Sequence, residues 1–365
     1  MNPYKDLPAH CFWSRGVTWV APGDLDPMTG GALIRVDEPV VTMGSCFAQH
    51  LSRHLASLGL DYHMTEAAPA DMPAEIAKAR NFGVFSARYG NVYTVRQALQ
   101  LFDRAFGRFV PQDDVWPAFV DGQAGYVDAF RPQIEPSPLA SEEAVRAEAG
   151  HHLAAVRRVF TEAKWLVFTL GLTEAWRSRM DGAIYPTAPG VAGGRFEDHR
   201  YEFVNFTAAE VRADLIQLLH RLREVNAGCR VILTVSPVPL IATREPRHVL
   251  VSTTVSKAIL RVVADEIERG HEHVHYFPSY EIITSAVHEG RYWADDLRQV
   301  TDIGVAHVMR VFTRHFLTAA GKLAPQDSEM HAMAPVVAPQ VVCDEEVIEE
   351  AMRRAGFRGS DERRS

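Results

Sequence analysis

The chain has 365 residues, 47% of them hydrophobic and 23% charged, which is ordinary for a globular enzyme-sized protein. Its net charge of −8 and a pI near 6.1 argue against nucleic acid or an anionic membrane surface as its main partner. Four scattered cysteines, Cys11, Cys46, Cys229 and Cys343, have no metal-site spacing, so neither a disulfide framework nor a bound metal is expected. The polar, proline-broken start and the lack of a long apolar run predict no signal peptide, no membrane span and a cytoplasmic location.

Residues 1–38 carry Pro3, Pro8, Pro22, Pro27 and Gly30-Gly31 and read as an irregular arm, with Phe12, Trp13 and Trp19 available to pin it to the body. The main domain is expected over 39–320. It opens with a β-branched run, Val40-Val41-Thr42, followed by Gly44-Ser45-Cys46 and an amphipathic stretch with Leu51, Leu55 and Leu58. Phe82–Asn91 is rich in turn formers and precedes a helix through Leu99 and Phe102. Residues 108–140 read as a loop-rich insertion. Ser141 is placed to cap a helix reaching Glu162.

Trp165–Leu170 is an apolar run of buried-strand type ending at Gly171, and 181–205 reads as a second irregular insertion. Helical periodicity returns over Ala208–Val225, followed by a strand Arg230–Val235, a helix from about Thr253 to Arg269, a strand Val274–Phe277 and a last helix Asp302–Phe316. Buried strands alternating with amphipathic helices predict an α/β fold, a parallel sheet covered on both faces. Residues 321–365 read as a tail with a short helix from Asp344 to Arg354, a possible docking element for a protein partner.

Three groups of residues carry chemistry. A strand feeding a helix through Gly44-Ser45-Cys46 is where α/β sheets place nucleophiles, because the helix N-terminus offers unpaired N–H groups and a positive dipole end. A thiol or hydroxyl held there gains acidity and oxyanion donors. Gly171-Leu172-Thr173-Glu174 follows the second buried strand at the same edge of the sheet, and Glu174 equally suits a helix N-terminal acid. His271, His273 and His275 alternate without an acid or thiol at ligand spacing, which reads as a polar strand face and not as a metal site.

The string Gly44-Ser45-Cys46-Phe47-Ala48 resembles the signature of the GSCFA family, a branch of the SGNH/GDSL-type hydrolases and acyltransferases. The resemblance runs from about residue 3 to 317 and includes Asn2-Pro3-Tyr4, Phe12-Trp13, Tyr89-Gly90-Asn91-Val92-Tyr93, Ser236-Pro237, Ser256-Lys257 and Tyr276–Glu281. It implies a three-layer α/β/α sandwich of the flavodoxin-like SGNH type. It implies acyl transfer, as an esterase or O-acetyltransferase, on a small molecule or glycan, with no cofactor beyond acetyl-CoA as an acyl donor. In the superfamily's Gly-Asp-Ser block the serine is the nucleophile; Cys46 stands at that position and Ser45 at that of the aspartate, so Cys46 is favoured and Ser45 kept as the alternative. Gly90 with Asn91, and Gly171 with Thr173, correspond to the blocks that supply oxyanion donors. The last block departs from the pattern. Asp296-Leu297-Arg298-Gln299 stands where the superfamily has Asp-x-x-His, and Gln299 cannot accept a proton. Asp296 then orients a base from elsewhere, His248 being the first candidate; Cys46 ionises through the helix dipole alone; or the site binds a ligand without turnover.

Overall fold

The computed structural model describes residues 2–318, 346–348 and 351. Its elements are, in chain order, β1 (Val40–Gly44), α1 (Ala48–Ser57), α2 (Ala74–Ala79), α3 (Val95–Ala105), β2 (Val115–Val120), β3 (Gln123–Asp128), α4 (Glu142–Glu162), β4 (Trp165–Leu170) and β5 (Glu174–Ser178). There follow β6 (Ile184–Tyr185), β7 (Tyr201–Asn205), α5 (Ala208–Val225), β8 (Arg230–Val235), α6 (Val249–Gly270), β9 (Val274–Tyr276), α7 (Ser279–Thr284) and α8 (Asp302–Phe316). Most of the predicted tail helix, like Cys343, lies outside the described residues; 346–348 and 351 are helical.

Four strands form a parallel sheet in the order β1-β4-β8-β9, with Val41 opposite Leu166, Leu166 opposite Val231 and Val231 opposite Val274. Because side chains alternate along each strand, the sheet feeds two separate cores. Val41, Met43, Leu166, Phe168 and Leu233 pack with α3, α4, α5 and α6, whereas Val40, Trp165, Val167 and Ile232 pack with α1, α7 and α8. Helices therefore lie on both faces, as continuous apolar strands require. The outer edge of β1 is covered by residues 61–63, through Val40 N to Asp61 O and His63 N to Val40 O. No described helix is long and apolar enough to cross a membrane.

The helix ends follow their caps. Ser141 Oγ accepts from Ala144 N at 3.2 Å, and Thr207 with Glu210 makes a reciprocal capping box at α5, each cap worth about 1 kcal/mol. α6 begins four residues before the predicted Thr253, because His248 caps it, Nδ1 accepting from Leu250 N at 3.1 Å.

The two segments read as irregular contain paired strands. β2 and β3 form a hairpin across Asp121-Gly122, both at positive φ, the conformation a two-residue hairpin turn needs. β6 and β7 flank β5 in an antiparallel sheet, so the second segment extends the strand that follows Thr173. Pro117, Gly193-Gly194 and Pro186 masked these short strands. In the arm, Leu25, Ala32 and Ile34 are buried, while Trp13 and Trp19 stand 75% and 79% exposed and pin nothing. His307 ties the arm down, donating from Nε2 to Leu25 O at 2.8 Å and accepting at Nδ1 from the Tyr292 hydroxyl at 2.6 Å.

Candidate active site

β1 and β4 end together at the carboxyl edge of the sheet, and the close approach of their ends shapes the Gly44–Cys46 turn. Gly44 has φ +139°, and a Cβ there would lie 2.3 Å from Thr169 O, so only glycine fits. Ser45 N donates to Thr169 O at 3.2 Å, after which Ala48 N to Ser45 O and Gln49 N to Cys46 O begin the α1 coil. Ser45 and Cys46 are both buried, and Ser45 Oγ has no hydrogen-bond partner.

The loop before α3 packs on this turn. Val92 N donates to Gly44 O at 2.8 Å, and Gly90 takes the positive φ that the bend requires. Asn91, fully buried, accepts at Oδ1 from Gln49 Nε2 at 3.3 Å, which sets two amide side chains beside the Gly44–Cys46 turn. Gly171 closes the other side: a Cβ on it would meet Tyr93 O at 2.9 Å and Ser45 Cβ at 3.1 Å. Gly171→Ala is therefore expected to destabilise the protein by about 1–3 kcal/mol, measured by chemical denaturation; an unchanged midpoint would show that the turn has room to spare.

The Gly171–Glu174 segment is held from α6. Lys257, buried, donates from Nζ to Gly171 O at 2.7 Å, and Ser256 Oγ accepts from Thr173 N at 3.1 Å. The N–H groups of Gly171 and Leu172 both donate to Tyr93 O, and the Thr173 hydroxyl donates to Asn205 Oδ1 at 2.7 Å. These donors are committed to the scaffold. Asn205 in turn donates to Glu245, and Thr243 donates to Glu174, whose carboxyl is pushed up by burial, with the Thr243 bond opposing.

The expected acid and base residues have other contacts. Asp296 Oδ1 accepts from Arg298 N and Gln299 N, both at 2.9 Å, closing its own exposed turn, and Gln299 O accepts from Ala294 N. His248 is exposed, with Nδ1 engaged as the α6 cap. The sequence reading missed Gln49 and Lys257. The signal for Lys257 was a charge beside the inward stripe Ser256, Leu260, Val263, Ile267, and for Gln49 an amide three residues after Cys46. Among the described residues no three His, Cys, Asp or Glu side chains converge to hold a metal ion, and His275 pairs with Arg230 at 2.8 Å.

A glycine-hinged turn that joins strand to helix at the carboxyl edge of a parallel, helix-covered sheet defines an α/β protein with its candidate site at the strand ends. The chain belongs to the GSCFA family, whose model matches residues 39–312. No curated protein matches it.

Proposed function

We propose that the protein is an acyl-transfer enzyme of the SGNH kind, an esterase or O-acetyltransferase, with Cys46 as nucleophile and a glycan or glycoconjugate as acceptor. The observation that carries this reading is the Gly44-Ser45-Cys46 turn itself. It lies at the carboxyl end of the edge strand β1, opens a helix, and is walled by Asn91, Gln49 and Gly171. A thiolate at a helix N-terminus needs less help from a base than a serine hydroxyl does, which suits a chain with Gln299 in place of the histidine.

In this mechanism the Cys46 thiolate, its proton released to solvent, attacks the acyl carbonyl, and the oxyanion is met by the Asn91 amide. Collapse expels the alkoxide of an ester, which takes a proton from solvent water, or the thiolate of acetyl-CoA, and leaves an acyl thioester on Cys46. Water or a sugar hydroxyl then takes the acyl group. Lys257, whose Nζ donates to the carbonyl of Gly171, the residue packed on Ser45, brings positive charge to this end of the sheet and favours the thiolate. A reducing, cytoplasmic setting is part of the proposal.

The test is selective alkylation. Burial pushes the Cys229 thiol up to about 12, so that residue is inert at neutral pH. Iodoacetamide at pH 7 is expected to label Cys46 faster than Cys229, read by peptide mass spectrometry, and an acyl donor is expected to protect it. Equal labelling, or no protection by any acyl donor, would return the role to Ser45 or to no residue. A second reading, a ligand-binding member without turnover, is favoured by one observation: Asp296 spends its carboxylate on its own loop.

A further inference from the structure

A second buried polar centre lies on the α3–α4 side of the sheet. Glu66, from the loop after α1, accepts from His152 Nδ1 on α4 and from Arg88 N, both at 2.7 Å. Asp128 accepts from Arg131 Nε at 2.8 Å, and Glu135 receives Arg80 and Arg88. Every carboxylate in this cluster is thus matched to a cation or an imidazole. Arg104, on α3, has no such match. Only 9% exposed, its side chain makes no hydrogen bond or ion pair among the described residues, and its guanidinium sits 3.6 Å from the centre of the Phe130 ring.

Arg104 Nε and His152 Nε2 are both buried without a hydrogen-bond partner, and the two side chains line one cavity of about 10 Å³. Arg131, Gln97 and Gln100 also line it, and no carboxylate does. The glutamines are spent on backbone groups: Gln97 on Tyr93 N and Asn91 O, Gln100 on Ile184 N and Gly182 O.

We propose that this cavity is a binding site for one monatomic anion, chloride or another halide, held between Arg104 and His152. Asp128 and Asp114 act on the buried Arg104 charge without bonding to it, and burial still dominates; an anion in the cavity supplies a counter-charge in direct contact. The volume is about that of a single water-sized particle, which excludes phosphate, sulfate and carboxylates. Because the Glu66 carboxylate fixes a proton on Nδ1, Nε2 of a neutral His152 offers only a lone pair. An anion there requires a second proton, so halide and proton enter together and the charges alternate from Glu66 through His152 and the anion to Arg104.

The groups facing His152 set the sign of this linkage. Burial first, then Arg131, lower its pKa to about 4, while Glu66 and Asp128 oppose them; Tyr89 meets the ring edge-on. Halide binding therefore strengthens as the pH falls.

The experiment uses the full chain. In sodium bromide, against sodium sulfate at equal ionic strength, Tm is expected to rise by about 2–4 °C at pH 5.5 and by less at pH 7.5. Crystals grown in bromide are expected to give an anomalous peak between Arg104 and His152. Arg104→Gln is expected to abolish the bromide shift; if that variant does not fold, the wild-type diffraction decides alone. A Tm indifferent to bromide at both pH values, with no anomalous peak at the cavity, overturns the proposal and leaves a water there.

Discussion

Cys46→Ala is expected to lower turnover of an activated acetyl ester by at least about 10³-fold, because it removes the atom that forms the acyl intermediate. Lys257→Met should also cost activity, and more at low pH, since loss of the charge beside Gly171 raises the pH at which a thiolate forms. Ser45→Ala separates the alternatives: its hydroxyl is buried without a partner, so replacing it leaves no hydrogen bond broken. If Ser45→Ala abolishes turnover while Cys46→Ala retains it, the serine is the nucleophile. Gln299→His is expected to raise hydrolysis by about 10²-fold, the low end of what a positioned base supplies, because Asp296 must first release two backbone N–H groups. Wild type and all four variants proving equally inert toward esters and acetyl donors would sink the enzymatic reading and leave ligand binding.

Acid is expected to unfold the protein steeply between about pH 6 and pH 4. Burial depresses His50, His54, His152 and His307 to about 4 each, with neighbouring arginines adding to the effect at all but His54. A histidine whose folded pKa lies below its unfolded value stabilises the fold above pH 6.5, and that contribution fades as the unfolded chain takes up protons. For His152 and His307, both almost fully buried, the loss is about 1.4 kcal/mol per pH unit each. Glu66, held near 2 against its burial by His152 and Arg131, adds a second loss as the pH falls below about 4.5. The losses together rival the net stability of a typical domain. Protonated His307 can no longer accept from Tyr292 but still donates to Leu25 O, so hydrogen-exchange protection is expected to fall around Tyr292 before it falls near Leu25. A Tm constant from pH 7 to pH 5 would show that these histidines are hydrated in solution.

The sequence by itself determined the central sandwich. The runs at Val40, Trp165 and Arg230 are apolar on both faces, and the helices Ala208–Val225 and Asp302–Phe316 match their predicted bounds, because period and cap chemistry are local properties. It also located the Gly44–Cys46 turn, since a glycine between a β-branched run and an amphipathic stretch is legible without coordinates. Tertiary structure alone decided the surroundings of that turn. That Gly171 and Thr173 spend their N–H groups on Tyr93 and Ser256, and that Lys257 reaches the Gly171 carbonyl across 86 positions of chain, follows from packing α6 against the end of β4. The small sheets were hidden for the same reason. β5, β6 and β7 are short and separated by segments rich in glycine and proline, and they become strands only when paired with one another. The pairing of buried charges was equally non-local: Arg104 looks like any helical arginine until the fold buries it with Asp128 nearby and no carboxylate bonded to it among the described residues.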